Sequence, residues 1–255
     1  MDNIQPEISI VIPTYNAEST LENAVSSVIG QSFENWELII ADDASSDGTV
    51  RLARELASRD GRIRVVESEV NKGVAEMRNY GVSLSRGQYV AFLDSDDTWH
   101  PDKLSIQLGR MRDTDASLCY TSYALVNASG KKARADYIVP DETDYPSMLR
   151  ENVIGCSTVL ISAEVARSHP FSTGAYHEDY VLWLQLLREG HRAVGCKEVL
   201  TDWCYHDGSR SYNKLRSLQK RWEVYRKVLK LPLMKSISCT CSYAVAGLRK
   251  YNSYD

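Results

Sequence analysis

No apolar run in these 255 residues reaches the roughly 18 needed to cross a bilayer, which sets aside the membrane-spanning class. The opening residues, Met1 to Pro6, lack both the basic and the apolar stretch of a secretory signal. Cysteine is sparse and unpatterned. Cys119, Cys156, Cys196, Cys204, Cys239 and Cys241 form no CxxC pair and no zinc-like spacing, so they read as free buried thiols of a reducing compartment. Together these absences predict a cytoplasmic chain. No GxGxxG follows the first apolar run, which argues against a dinucleotide-binding dehydrogenase. There is no internal repeat and no low-complexity segment.

What is present is ordinary in bulk and uneven in distribution. A hydrophobic fraction of 43% and a charged fraction of 25% fit a soluble globular protein able to bury a sizeable core. The net charge of −4 conceals an asymmetry: from Tyr212 to Asp255 ten Lys and Arg stand against two acids, so the tail carries +8 and the preceding 211 residues −12. A basic tail on an acidic body predicts contact with something anionic, and the acidity of the body speaks against nucleic acid.

The first half repeats one pattern. Short apolar runs at Ile8–Ile12, Trp36–Ala41, Ile63–Glu67 and Gln88–Leu93 read as buried strands, each followed by a polar cluster and a helical stretch. Ser19 with Glu22 is expected to box the start of the first helix, which runs to about Gln31. Further helices are expected over Thr49–Ser58 and Val74–Ser83, and Pro101 opens the next. Four strand–loop–helix units with fully apolar strands predict a parallel sheet covered on both faces, in which ligands bind beyond the strand C-termini. Beyond residue 115 the pattern changes. Strands are expected at Ser117–Val126, Arg134–Val139, Val153–Ile161 and Val199–Tyr205, with a helix over His177–Glu189. This half is α+β and continuous with the sheet. We divide the chain into a body, 1–211, with halves 1–115 and 116–211, and a helical basic segment, 212–255.

The polar clusters all fall on the expected rim: Tyr15-Asn16, Asp42-Asp43, Asn71-Lys72-Gly73, and Asp94 with Asp96 and Asp97. The last is the most telling, because Val90-Ala91-Phe92-Leu93 stops abruptly at three carboxylates within four positions. Like charges that close raise one another's pKa unless a cation neutralises them. Hard carboxylate oxygens suit Mg²⁺ or Mn²⁺ shared with substrate phosphates. A solvated acidic turn with a helix cap is the plainer alternative for such a short pattern. The recurrence of polar clusters at one rim decides against it.

Five stretches in order, Val11-Ile12-Pro13-Thr14-Tyr15-Asn16, Asp42-Asp43-x-Ser45-x-Asp47-Gly48-Thr49, Asn71-x-Gly73-x-x-x-x-Arg78-Asn79, Asp94-Ser95-Asp96-Asp97 and His177-Glu178-Asp179 with Trp183, resemble family 2 glycosyltransferases of the GT-A fold. The resemblance covers about residues 7–211 and implies a Rossmann-like, mostly parallel central sheet flanked by helices, with an α+β acceptor-side lobe and C-terminal helices. It implies that Tyr15 stacks on a nucleotide base, Asp43 accepts from its ring N–H, and Asp42 lies close by. Pro13, Asn71, Gly73 and Ser95 are implied to belong to the same donor pocket, which makes 1–115 the nucleotide-binding half and 116–211 the acceptor half. Arg78 is implied to hold the nucleotide through its planar fork, Asp94 to face the ribose, and Asp96 and Asp97 to carry Mg²⁺ or Mn²⁺. His206 and Arg210, around Asp207-Gly208-Ser209, resemble a loop that closes over donor phosphates, with His206 as a metal contact and Arg210 as a phosphate contact.

The implied reaction is inverting transfer of a sugar from a nucleotide-diphosphate sugar, a UDP-sugar favoured, to a hydroxyl of a saccharide acceptor. Asp179 is implied as the base. Glu178, Trp183 and Ser157 are implied to border the acceptor side, with core packing as the alternative for Trp183 and a structural role as the alternative for Ser157. From Asn213 to Lys230, Leu215, Leu218, Trp222, Tyr225, Val228 and Leu229 recur at helical spacing among basic residues, and a second helix is expected over Leu233–Tyr251. Such a segment is expected to lie on an anionic membrane surface, where a polyprenyl-diphosphate-linked acceptor would reside, or else to pack on its own domain. Two rival readings stand beside this one. An inactive nucleotide-sugar-binding scaffold is weakened by the presence of both Asp97 and Asp179. A sugar nucleotidyltransferase would need a glycine- and basic-rich first loop, which Thr14-Tyr15-Asn16-Ala17 does not supply.

Overall fold

The computed structural model describes residues 5–252 apart from 128, 134, 175–176 and 206–213. The first half alternates as expected: β1 (Ile8–Thr14), α1 (Leu21–Ile29), β2 (Trp36–Asp42), α2 (Thr49–Arg59), β3 (Ile63–Glu67), α3 (Val74–Leu84) and β4 (Tyr89–Phe92). β1 pairs in parallel with both β2 and β4, and β2 with β3, giving the spatial order β3-β2-β1-β4. The order reverses between β1 and β4, and at such a switch point the loops of the two strands diverge to leave a crevice.

Proline sits at that divergence. Pairing of β1 with β4 ends at Val11 and Phe92, while pairing with β2 continues to Thr14 and Asp42. Val11 O accepts from Leu93 N, and Thr14 O from Asp43 N, so Pro13 is turned to the β4 side, just past the last paired residue. Its missing N–H therefore removes no ladder bond. Expected in the donor pocket, Pro13 is instead buried within the sheet.

After β4 come β5 (Thr98–Trp99), α4 (Lys103–Thr114), β6 (Leu118–Val126), β7 (Glu142–Thr143) and α5 (Tyr145–Arg150). A short 3₁₀ turn at Cys156–Thr158 leads to β8 (Val159–Ser162), α6 (Ala163–Ser168), α7 (Glu178–Arg188) and β9 (Ala193–Cys204). β8 runs antiparallel to β4 and β6, which it joins, and β6 pairs in parallel with β9. The chain ends in α8 (Lys214–Glu223), a turn of π-helix at Val224–Val228, and α9 (Leu233–Asn252).

Period-two alternation divides the core. Ile8, Ile10 and Ile12 face α1, α2 and α4 on one side of the sheet. Val11, Val90 and Phe92 face α3, α5, α6 and α7 on the other, where Val224, Tyr225, Leu231 and Cys239 of the C-terminal segment join the same cluster. Lys103 is fully buried in α4, its ammonium 4.0 Å from the Trp99 ring centre and bonded to Gln107, and desolvation lowers its pKa to about 7.

Several expectations do not survive. α1 starts from Thr20 with no side-chain cap, so the Ser19–Glu22 box is not formed; Glu18 and Ala17 are instead tied to the neighbouring loop. Among the described residues, the strand expected over 134–139 is reduced to a single bridge between Tyr137 and Tyr123. β9 begins six residues earlier than expected and shifts register opposite Thr121 to Tyr123.

Gly81 lets α3 lie close on β1, because a Cβ there would stand 2.4 Å from Val11 Cγ1. Gly81→Ala should cost about 1–3 kcal/mol by overpacking, read from urea unfolding. An unchanged midpoint would show that α3 is free to shift.

Candidate active site

The rim divides into two parts. On the β1–β2 side, the loops are laced together by side chains. Asn16 N bonds Ser45 Oγ, and Asn16 Oδ1 accepts from Ser46 N; Ala17 N bonds Thr49 Oγ1, and Gly48 N bonds Glu18 Oε2. Asn16 and Ala44 adopt left-handed backbone at φ 51° and 59°. Ala44 has no side-chain polar group to favour that conformation, so it marks a strained turn held by its surroundings.

Asp42 is buried and fully engaged: Oδ2 accepts from Thr14 Oγ1 at 2.9 Å and Ser45 Oγ at 2.6 Å, and Oδ1 from Ser45 N at 2.9 Å. Expected beside the base, it is a strut of the loop instead. Asp43 receives Lys72 N at 2.7 Å and Gly73 N at 2.8 Å on its two oxygens, and Asn71 Nδ2 reaches its carbonyl at 3.3 Å. Gly73, at φ 90°, makes the turn that brings these amides round. Tyr15 stands above this frame with 54% of its surface exposed, an open aromatic face at the mouth of the crevice.

On the β4 side a buried guanidinium organises the acids. Arg78 is 2% exposed; its Nη2 bonds Asp94 Oδ1 at 2.5 Å and its Nη1 bonds Glu178 Oε1 at 2.8 Å. Burial disfavours its charge, but the fields of Asp94, Glu178 and Asp179 outweigh that and hold it cationic. The fork expected on phosphate or base edges is thus engaged by two carboxylates, one of them a hundred residues from Arg78 in sequence.

Asp179 shares the first turn of α7 with Glu178, where the helix N-terminus favours negative charge. Its Oδ1 accepts from Tyr180 N at 2.7 Å. Enclosure by protein and the Glu178 charge push its pKa up to about 6, against the pull of Arg78. That range suits a proton acceptor near neutrality. Glu178 is buried against Arg78, so of the two acids Asp179 is the one left partly open.

Asp97 corrects the expectation most sharply. It is 2% exposed, with Oδ2 accepting from Ser157 Oγ at 2.5 Å and Oδ1 from Cys204 N at 2.9 Å. Burial, reinforced by Asp96 and Asp94, holds its carboxyl well above the usual range. It closes the turn inward rather than standing as the second outward metal ligand. Asp94, Ser95 and Asp96 remain on the half-open side. Among the described residues carboxylates outnumber the guanidinium here, and the donors on the half-open side are hard oxygens. Both features fit a divalent cation such as Mg²⁺ or Mn²⁺.

Ser157, expected at the acceptor side, sits beneath the acids and also accepts from Asp94 N at 3.1 Å. Trp183 is wholly buried and meets Phe171 edge-on at 6.1 Å, so core packing is its role. The brackets around Asp97 were not legible: one is a backbone amide, and Ser157 lies 60 residues away on another element. His206 and Arg210 lie outside the described residues.

The helical tail packs inward. Tyr225 is fully buried and donates to Leu149 O at 2.6 Å, and Arg221 stacks 3.5 Å over Tyr180. The stripe expected to meet a membrane through Tyr225 therefore meets the domain. The exposed apolar residues lie elsewhere: Val228, Leu233, Met234, Ile237 and Val245. Among the described residues no helix is long and apolar enough to cross a membrane.

The sequence profile of glycosyl transferase family 2 matches residues 9–162. The chain is 37% identical over 250 residues to TuaG of Bacillus subtilis (strain 168), whose name places it in teichuronic acid biosynthesis, covering 98% of this chain and 99% of that one. It is 34% identical to WfgD of Escherichia coli, named UDP-Glc:alpha-D-GlcNAc-diphosphoundecaprenol beta-1,3-glucosyltransferase, covering 96% and 94%. In structure it resembles S. aureus TarS 1-349 in complex with UDP-GlcNAc, with a TM-score of 0.74 at 16% identity, covering 98% and 73%. Mannosyltransferase PcManGT from Pyrobaculum calidifontis, in complex with GDP-Man and Mn²⁺, gives 0.68 at 17%, covering 94% and 69%.

Removing the guanidinium should leave buried Glu178 and half-open Asp94 without the cation they share. Arg78→Met is expected to destabilise by about 3–5 kcal/mol, measured by denaturant unfolding. A loss below 1 kcal/mol, on the order of a surface pair, would show that the three groups are not coupled.

Proposed function

This chain belongs to glycosyl transferase family 2, and from that premise we propose that it transfers a sugar from a UDP-sugar to a hydroxyl of a lipid-linked saccharide, with inversion, in surface polysaccharide synthesis. The observation that carries the reading is the arrangement about Arg78, which ties donor-side Asp94 to the α7 turn that bears Asp179. Relatives support the finer points. WfgD is named for a UDP-Glc donor and a diphosphoundecaprenol-linked acceptor, and TarS was solved with UDP-GlcNAc. The GDP-Man complex of PcManGT shows that the fold alone does not dictate the base.

In this reading Tyr15 stacks on the base and Asp43, already fixed by Lys72 and Gly73, presents its remaining lone pairs to the ring N–H. Asp94 keeps one oxygen on Arg78 and turns the other to the ribose. Mg²⁺ or Mn²⁺ held by Asp96, beside Asp94, would supply charge stabilisation for the departing diphosphate. Asp179 accepts the proton of the acceptor hydroxyl as its oxygen attacks the anomeric carbon from the face opposite the leaving group. One such displacement inverts the configuration. Arg78 and Glu178 hold the α7 turn so that the base keeps its place.

The acceptor's lipid anchor implies work at a membrane, on the inner face of the cytoplasmic membrane in this reading. Met234, 76% exposed, with Ile237 and Val245 at helical spacing along α9, and Val228 and Leu233 near its start, offers an apolar face. Lys227, Lys230 and Lys235 lie beside it, in a segment with an eight-charge basic excess. Apolar insertion and attraction to anionic headgroups would act together there.

Asp179→Asn should keep donor binding and lower kcat at least about 100-fold, with Glu178→Gln acting mainly on stability. The reverse ranking would move the base to Glu178. Because the Asp179 pKa is raised from 3.8 to about 6, kcat/KM should climb with pH through about 6. The sign for folding is opposite. Between those values the folded chain keeps a proton that the unfolded chain has lost, so this group makes stability fall as pH rises through that window.

The protein should sediment with anionic vesicles and be released by salt, and Met234→Glu with Ile237→Glu should abolish this without lowering transfer to a short soluble acceptor. Equal binding to neutral vesicles would remove the electrostatic part of the proposal.

A further inference from the structure

Three side chains that neither the rim nor the tail uses meet at the other end of the sheet. Ser162, at the end of β8, lies beside Tyr89, where β4 starts, and Ala193, where β9 starts, lies beside Leu118. His169 follows α6, Glu189 follows α7, and His191 precedes β9, so all three gather at the pole opposite Asp94. One ligating atom from each lies within 4.8 Å of the others. Gly190, at φ 91°, makes the turn that returns His191 towards Glu189, a conformation that costs glycine little.

Each imidazole is held from behind. His169 Nδ1 stands 3.0 Å from both Val165 O and Ser168 Oγ, and Nε2 is directed at Glu189 Oε2, 2.8 Å away. His191 Nδ1 stands 3.0 Å from Ser117 Oγ, which leaves Nε2 as the atom free for a ligand. The two rings meet edge to face with centres 5.3 Å apart. Fixing the far nitrogen of an imidazole with a carbonyl or hydroxyl is how metal-bound histidines are oriented.

We propose that His169, Glu189 and His191 form a second metal site, selective for a borderline-soft ion such as Zn²⁺, with water completing the coordination. Two imidazoles and one carboxylate suit Zn²⁺, whereas the all-oxygen rim suits Mg²⁺ or Mn²⁺, so the two sites are distinguished by chemistry as well as place. Glu189 has the most exposed side chain of the three and is the one able to move. Its movement would draw the cluster in towards the separation of about 3.3 Å that two ligands of one tetrahedral ion require. The consequence is mechanical. The ion would clip the C-terminal end of α7 to α6 and β9, and α7 carries Glu178 and Asp179 about 16 Å away at its other end.

The test uses tag-free, metal-stripped full-length protein in excess Mg²⁺, titrated with Zn²⁺ by calorimetry and followed by thermal unfolding. One equivalent of Zn²⁺ should bind and raise Tm. His169→Gln with His191→Gln should weaken that binding by at least about 100-fold, beyond what loss of an orienting neighbour costs, and abolish the Tm rise. Glu189→Gln should weaken it less. Metal-free Tm and circular dichroism of each variant report whether it folds, and if the double variant does not, Co²⁺ bound by the intact protein should show the visible absorption of a tetrahedral nitrogen–oxygen site. Equal Zn²⁺ affinity in the folded double variant, or no Zn²⁺-dependent Tm rise in the parent protein, would overturn the proposal. Neither readout depends on sugar transfer, so the site stands or falls apart from the catalytic reading.

Discussion

A parallel sheet gathers the ends of its strands on one side, and here those ends bear acids. Without compensation, Asp94, Asp96, Asp97, Glu178 and Asp179 would repel one another in a region that water reaches poorly. Arg78 is the protein's own answer: a planar cation sunk into the core, with one arm on Asp94 and the other on Glu178. An ammonium could not divide itself between two carboxylates with the same fixed geometry. Arg78 on α3, Asp94 after β4 and the first turn of α7 all meet at this one group. Arg78 turns to Asp94 and Glu178, and the hard oxygens on the half-open side are what suit the rim to a divalent cation.

The first half, 1–115, was legible because its strands are buried on both faces. Ile8–Ile12 and Trp36–Ala41 are continuous apolar runs that can be little else, and each stops where the polar loop starts. The second half, 116–211, uses subtler means. β9 passes through Lys197 and Glu198 and slips register opposite β6, so its pattern breaks where the strand does not. β8 is short and preceded by a 3₁₀ turn, and the sequence merges the two into one strand. Direction is also invisible in sequence. Asp96 and Asp97 are neighbours of the same chemistry, yet one lies on the half-open side and the other is taken inward by Ser157 and Cys204 N–H.

The tail shows a different limit. Apolar residues at helical spacing declare that a helix has a buried side, but the same spacing serves a protein core or a lipid surface. Leu218, Trp222 and Tyr225 satisfied the pattern, and the Tyr225 hydroxyl on Leu149 O decides for the core in its own case. On α9 the buried positions Ser236 and Cys239 are small, while larger residues such as Met234 and Ile237 face out. This inverted distribution is the feature that sequence periodicity, which weighs position more than size, passed over.

The lacing of the β1 and β2 loops bears on how a ligand is received. A binding loop that is loose when empty must lose its freedom on each encounter, and that lost freedom weakens the complex. Here the cost falls in folding. Asn16, Asp42, Glu18 and Thr49 fix the loops through hydrogen bonds, and the left-handed turns at Asn16 and Ala44 are held before any ligand arrives. Association on this side should thus resemble docking onto a rigid template, with a small entropic penalty and little backbone movement. A substitution that loosened the lacing would weaken the complex while leaving every contacting residue in place.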